Sequence, residues 1–368
     1  MAKLKIALFI PTLDGGGAER VMLLLAEEFL VRGYQADLLL ANAVGPYLKQ
    51  IPSKIRLIDL NSKKPLTAIP ALINYIRKER PYAVLSSLFH ANLALLWAIK
   101  LSRISVRCVV REANTISFDL SVSKNISTPM ISWLIRRCYP WADAIVSLSH
   151  GVADDLSITT GLPRDNIKVI YNPVDVQSIQ KKAKEETDHP WFNENKPPVI
   201  IGIGRFCEQK DFLTLIRSFS IVIQQKDARL IILGDGDMRP QLELLIQDLK
   251  LTDKIDLPGF RDNPYSFLAR SAVFVLSSKW EGLGNVLIEA LACNVPIVAT
   301  NCKCGPGEVL QQGKYGKLVP IGNPKALADK ILEVIDGNFP KFNQNEALAR
   351  FKKDIIAEKF INLLITKR

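Results

Sequence analysis

Residues 278–301 read SKWEGLGNVLIEALACNVPIVATN. Two carboxylates, Glu281 and Glu289, lie on either side of a glycine-rich turn and the first turn of an apolar helix. The preceding AVFVLSS reads as a strand and VLIEALA as a helix, so the turn sits at a strand's carboxyl end and a helix's amino end. A helix amino end carries exposed backbone N–H groups and a partial positive charge, which makes it an anion site. Gly282 and Gly284 let the backbone come close to a ligand. A phosphate or diphosphate is expected at Gly284, Asn285 and Val286. Glu289, four residues beyond Asn285, lies one turn along on the same face and can accept hydrogen bonds from a diol such as ribose. Glu281, before the turn, suits a neutral polyol on the other side of the anion. The order is ribose, diphosphate, sugar, which describes a nucleotide sugar. Taken alone, Glu281 reads equally as a helix-capping acid and Glu289 as surface charge.

A second cluster favours the crevice. GIGRFCEQKDF follows another strand, and its Arg205 and Lys210 lie in the loop at that strand's carboxyl end. Two cations there can neutralise a diphosphate and stabilise it as a leaving group. A third signal is LDGGGAER, residues 13–20. A dinucleotide fingerprint needs G-x-G-x-x-G and an acid at the end of the next strand. Position 20 is Arg, and Asp37 lies at the start of the second strand, so NAD is not expected. Gly16 and Gly17 instead suit a flexible turn facing the diphosphate. ILGDGDMR (232–239) lacks the third glycine as well. His90, in SSLFHANLA, follows a strand at its carboxyl end; as a lone histidine it is either structural or part of this site.

These residues need a scaffold that brings several strand ends together. Continuous apolar strands (KIALFI, ADLLLA, AVLSSL, RCVVRE, AIVSLS) alternate with helical patterns, which implies parallel β-α-β units covered on both faces. A charged, turn-rich gap at 181–198 interrupts the series. The pattern then restarts with VIIGIGR, ARLIILGDG, KIDLPGF, AVFVLSS and PIVAT, and the chain ends in a helical NEALARFKKDIIAEKFINLLI. The expected fold class is α/β: two doubly wound, Rossmann-like domains with a cleft between them, ligands binding beyond the strands' carboxyl ends.

Composition agrees. The 368 residues suit about two domains, with 48% hydrophobic and 23% charged. Six scattered cysteines point to a reduced setting. Cys302 and Cys304 form a C-x-C without a second ligand pair, so no metal site is expected there. The amino-terminal MAKLKIALFIPTL reads as a strand rather than a signal peptide. No apolar run reaches the roughly 18–20 residues of a membrane span. The net charge is +11, and residues 1–175 hold 21 Lys+Arg against 14 Asp+Glu. This excess favours an anionic partner, nucleic acid or an acidic lipid surface, or is simply a solvated face. The basic segments lack the interleaved aromatics of single-strand binders, so nucleic acid is not expected. Residues 124–141, KNISTPMISWLIRRCYPW, join Met130, Ile131, Trp133, Leu134 and Ile135 to Lys124, Arg136 and Arg137. This is either a helix lying at a headgroup boundary or a core helix with a charged end, and Trp133 and Trp141 fit both.

Taken together, the chain closely resembles the family-4 retaining glycosyltransferases of GT-B fold over almost its whole length. The shared features are GGAERV, the His after the fourth strand, YNPVD (171–175), GR…K, the E-x7-E of Glu281 and Glu289, and CGPGEVL (304–310). The resemblance implies an acceptor domain over 1–173, with the helix 353–368 packing back on it, and a donor domain over 174–352. It implies a UDP-sugar donor and transfer of a hexose or N-acetylhexosamine to a lipid-linked or polysaccharide acceptor, with front-face attack and retention. No metal or other cofactor is implied. Glu289 would hold the ribose, Arg205 and Lys210 the diphosphate, and Glu281 with the backbone of Gly282, Leu283, Gly284 and Asn285 the sugar and phosphates. His90 would touch the donor sugar, Gly16 and Gly17 the diphosphate, and Phe260 and Arg261 the uracil. A peripheral place on the cytoplasmic face of a membrane is implied. Cys304, where relatives often carry Ser, leaves the shape of the sugar pocket open. Two alternatives remain: a GT-B nucleotide-sugar epimerase and a non-catalytic nucleotide binder.

Overall fold

The computed structural model describes residues 3–118, 128–193 and 196–366. The chain forms two compact units, Met1–Val174 with Arg350–Arg368, and Asp175–Ala349.

In the first unit the strands are β1 (Lys5–Ile10), β2 (Gln35–Leu40), β3 (Arg56–Asp59), β4 (Ala83–Ser87), β5 (Arg107–Glu112), β6 (Ala144–Ser147) and β7 (Ile167–Val169). All pair in parallel, in the order β3-β2-β1-β4-β5-β6-β7. Side chains alternate across the sheet. Ile6, Leu8 and Ile10 pack under the helices Gly17–Val31 and Lys353–Ile365, while Ala7 and Phe9 pack under Ile69–Glu79 and Phe89–Ser102. Because both faces are covered, β1 is apolar from Ile6 to Ile10.

The second unit repeats the plan with β8 (Val199–Ile203), β9 (Arg229–Leu233), β10 (Ile255–Gly259), β11 (Val273–Leu276), β12 (Ile297–Thr300) and β13 (Lys317–Val319). Its order is β10-β9-β8-β11-β12-β13, again parallel. In each sheet the winding reverses between two adjacent strands, β1 and β4 or β8 and β11. Loops leaving the carboxyl ends of such strands diverge and leave a crevice. The glycine turn and His90 follow β1 and β4. Arg205–Lys210 and Ser278–Asn285 follow β8 and β11.

Two sequence expectations need correction. The carboxyl-terminal helical pattern is not one helix. It breaks between Gln344–Leu348 and Lys353–Ile365, because Lys352 is extended and bridges Val174, whose N–H donates to the Phe351 carbonyl at 2.8 Å. The helix of segment 124–141 runs Thr128–Cys138, and residues 124–127 lie outside the described residues. Ile131 and Ile135 are core, so they are not part of an outward apolar face; Leu134 is half-buried, and only Met130 and Trp133 are exposed. Trp141 is half-buried and stacks edge-on against Trp97.

A buried polar knot fixes the turn that presents His90. Asn92 is fully buried. Its Oδ1 accepts from Ser86 Oγ at 2.6 Å, and its Nδ2 donates to the Arg111 carbonyl, Glu112 Oε1 and Tyr139 Oη. The Tyr139 hydroxyl also donates to the Glu112 carboxylate, and burial beside that carboxylate holds the phenol well above its ordinary pKa. Leu88 sits at φ 79°, a left-handed backbone unfavourable for a leucine, and its N–H donates to the Arg111 carbonyl at 3.1 Å. The fully buried Arg111 guanidinium donates to Ser87 Oγ at 2.8 Å and to Asn172 Oδ1 in the YNPVD stretch; burial lowers its pKa to about 10. Asn92→Leu leaves the buried Ser86 hydroxyl without its acceptor and takes one donor from the buried Glu112 carboxylate. The expected cost is about 2–4 kcal/mol. Calorimetric melting should show Tm lower by roughly 5–15 °C; an unchanged Tm contradicts the knot's role.

Candidate functional site

In the second unit, the loops after β8 and β11 are stitched together. Ser277 Oγ donates to the Lys210 carbonyl at 2.7 Å, Lys279 N–H to the Gln209 carbonyl at 2.8 Å, and Gln209 Nε2 to the Trp280 carbonyl at 3.0 Å. These bonds bring Lys210 Nζ to 2.5 Å from Glu281 Oε1. The sequence reading gave Lys210 to a diphosphate and Glu281 to a sugar as separate contacts; the structure joins them in one largely buried ion pair. The ammonium carries three donors on a flexible stem, so an arriving anion can draw it from the carboxylate. Arg205 is exposed, and among the described residues its guanidinium has no hydrogen bond or ion pair.

Beyond Glu281 the chain turns through Gly282, Leu283 and Gly284 into the helix Asn285–Ala292. Gly284 takes φ 82°, and a Cβ there would crowd the Leu287 side chain at 3.2 Å. A glycine is therefore required to aim the first-turn N–H groups of Asn285 and Val286. Leu287, Ile288 and Leu291 bury the helix's inner face, leaving Glu289 half-exposed on the other. The Tyr265 hydroxyl donates to Glu289 Oε1 at 3.3 Å from the helix Pro264–Arg270. Phe260 and Arg261 are exposed just before that helix, and Arg261 borders an open cavity of about 390 Å³ with Asp262, Asn263, Ser266 and Phe267.

Other sequence candidates are engaged elsewhere. Asp235, of the Asp-Gly-Asp turn, pairs with Arg239 at 3.0 Å, a contact that lowers its carboxyl pKa. Burial pushes the Cys302 thiol up to about 12, and it donates to the Cys304 carbonyl at 3.5 Å.

In the first unit, Gly16 precedes the helix Gly17–Val31. The Glu19 carboxylate lies over Gly16, 2.4 Å from where a Cβ would stand. An anion reaching this turn must displace it. His90 lies in the first turn of Phe89–Ser102, half-buried, its ring edge-on to Phe89 at 4.9 Å. Burial lowers its pKa, so at pH 7 the imidazole is neutral and can both donate and accept one hydrogen bond.

The chemistry these groups can perform is the capture of an anionic leaving group by cations and helix N–H groups, flanked by two carboxylates that accept from hydroxyls. The sequence reading missed Tyr265 and Ser278. PYSFLAR reads as a core helix, and a serine at a strand end has no distinguishing signal.

Comparisons with known proteins bear on the family and the fold. The family model described as Glycosyltransferase Family 4 matches residues 15–178, and that described as Glycosyl transferases group 1 matches 183–354. A Methanocaldococcus jannaschii protein named as an uncharacterized glycosyltransferase is 30% identical, over 86% of this chain and 88% of its own length. The Campylobacter jejuni N-acetylgalactosamine-N,N'-diacetylbacillosaminyl-diphospho-undecaprenol 4-alpha-N-acetylgalactosaminyltransferase is 29% identical, over 95% of both chains. Among solved structures, Anabaena HepE in complex with UDP and glucose overlays with a TM-score of 0.80 at 19% identity, covering 99% of this chain and 100% of its own. A glycosyltransferase from Rickettsia africae overlays with a TM-score of 0.80, also at 19% identity, covering 99% and 98%. With two parallel sheets of GT-B type, family models over both units and a relative at 30% identity across most of its length, the chain belongs to glycosyltransferase family 4.

Proposed function

We propose that this glycosyltransferase moves a hexose or N-acetylhexosamine from a UDP-sugar to a lipid-linked or polysaccharide acceptor, with retention and without a metal. The observation that carries the reading is the Lys210–Glu281 pair set at the head of the helix Asn285–Ala292, with Glu289 one turn along. In this reading Lys210, Arg205 and the helix head hold the diphosphate and stabilise the charge that develops as it leaves. Glu289 accepts from the ribose diol and Glu281 from the donor sugar. Neutral His90 hydrogen-bonds the sugar near the reacting carbon, and Gly16 and Gly17 reach the diphosphate once Glu19 moves aside. Phe260 and Arg261 contact the uracil. The acceptor oxygen attacks from the face that the diphosphate leaves, and a departing phosphate oxygen takes its proton. Support for the donor comes from the Anabaena neighbour, solved with UDP, and support for the acceptor from the name of the Campylobacter relative. The test is incubation with labelled UDP-sugars and a membrane lipid extract. Label should enter the extract as UDP is released; epimerised nucleotide, or binding alone, overturns the reading.

The acceptor side points to an anionic membrane surface. Met130, Trp133, Trp97 and Leu101 are exposed on the helices Thr128–Cys138 and Phe89–Ser102. Lys100 stands 3.8 Å over the Trp141 ring, and Arg136 and Arg137 are exposed nearby. Among the described residues no helix is long and apolar enough to cross a membrane. Exposed tryptophans beside cations suit a headgroup boundary. The protein should sediment with anionic vesicles at low salt and much less with neutral ones. Each cation near an anionic leaflet is worth about 1 kcal/mol, so Arg136→Glu with Arg137→Glu should cut binding by roughly tenfold or more. If the wild type ignores anionic vesicles at low salt, a soluble acceptor replaces the lipid-linked one.

A further inference from the structure

Glu281 is held by more than Lys210. Ser278 is fully buried just after β11. Its Oγ donates to Glu281 Oε1 at 2.7 Å, and its own carbonyl accepts from Thr300 Oγ1 at 2.6 Å. Thr300 is itself buried at the end of β12, so Ser278 is fastened to the neighbouring strand while its single hydroxyl proton points at the carboxylate. The Lys210 ammonium reaches that same oxygen, Oε1. Glu281 Oε2 has no hydrogen bond among the described residues.

This arrangement divides the carboxylate in two. One oxygen takes both protein donors and the other keeps its lone pairs for a ligand. The two donors differ in what happens when an anion arrives. Lys210 is a point charge on a flexible stem and turns toward a diphosphate. Ser278 is short, neutral and fixed by its surroundings, so its bond survives that exchange. A charge-assisted O–H···O⁻ bond at this distance is strong enough to set a rotamer.

We infer that Ser278 is a positioning residue that keeps Glu281 Oε2 aimed at the donor sugar while Lys210 engages the diphosphate. The inference rests on the reading of Glu281 as the sugar-holding carboxylate. It makes the sugar-holding group independent of the phosphate-holding one, although the two form an ion pair.

The experiment compares Ser278→Ala, Ser278→Thr and Glu281→Gln, measuring calorimetric UDP affinity and turnover with UDP-N-acetylgalactosamine and UDP-N-acetylglucosamine. Ser278→Ala should lower kcat about 10- to 30-fold, the effect of one charge-assisted bond, with UDP affinity within about twofold of wild type. Ser278→Thr keeps the hydroxyl and should recover most of kcat. Ser278→Ala combined with Glu281→Gln should turn over no more slowly than Glu281→Gln alone. Wild-type kcat in Ser278→Ala overturns the proposal. So does a parallel loss of UDP affinity, because a loop that had merely loosened would also displace Gly282–Val286. If Glu281→Gln itself turns over normally, it is the reading of Glu281 that fails. If Glu281→Gln loses transfer and Ser278→Ala does not, only the role of Ser278 fails.

Discussion

Lys210→Ala is expected to slow sugar transfer roughly 30- to 1000-fold with every donor, the effect of losing about 2–4 kcal/mol of transition-state stabilisation in a desolvated site. The substitution also removes the partner of Glu281, whose side chain is only 7% exposed. A buried carboxylate that loses its cation is costly, so the variant should melt earlier as well. The two effects separate in a double variant. Adding Glu281→Gln removes the stranded charge and should recover much of the lost Tm, while turnover stays low because nothing replaces the ammonium on the leaving group. Arg205→Ala should cost less, since Arg205 is exposed and its charge is screened. Steady-state kinetics beside scanning calorimetry checks both halves. Near-normal turnover in Lys210→Ala with all donors places the diphosphate somewhere else.

Glu289→Gln and Glu281→Gln should fail in different ways. The ribose is common to UDP and every UDP-sugar, so Glu289→Gln should weaken both, by roughly 5- to 150-fold for a hydrogen bond worth about 1–3 kcal/mol. Tyr265 would still approach the amide that replaces the carboxylate, so the helix head should hold its shape. Glu281→Gln should leave UDP affinity close to wild type and lower kcat by about one to two orders of magnitude, because an amide accepts more weakly where the sugar's hydroxyls lie. Titration calorimetry with UDP reads the first effect and initial rates the second. Equal loss of UDP affinity in both variants removes the division of labour.

Much of the scaffold is legible in the sequence because it depends on burial alone. Ile6–Ile10 and Val273–Leu276 are apolar at every position, as strands covered on both faces must be, and such strands alternating with helices leave few parallel topologies. Gly282, Gly284 and the helix after them could be placed at a strand end for the same reason. What stayed hidden depends on side chains that meet across loops. Lys210 and Glu281 are 71 residues apart, and their pairing follows from backbone bonds at Gln209 and Lys279 that no residue type announces. Ser278 and Tyr265 carry no pattern of their own. The helix Thr128–Cys138 could be read as core or as an outward apolar face because its pattern alone does not say which side packs; packing shows that Ile131 and Ile135 turn in while Met130 and Trp133 turn out. Residue pattern alone runs 345–365 together as helical, because Phe351 and Lys352 fit a helical pattern; the extended bridge from Lys352 to Val174 overrides it, and only the resemblance set a helix start at 353. The same holds for Leu88, whose positive φ is imposed by the strand end that it joins.

A crystal structure of the protein soaked with UDP locates the leaving group outright. The diphosphate is expected within hydrogen-bond distance of the N–H groups of Asn285 and Val286 and of Lys210 Nζ, with the ribose diol on Glu289 and Glu281 Oε1 still bonded to Ser278. UDP bound away from the head of the helix Asn285–Ala292, with Lys210 and Glu289 untouched, would contradict that placement.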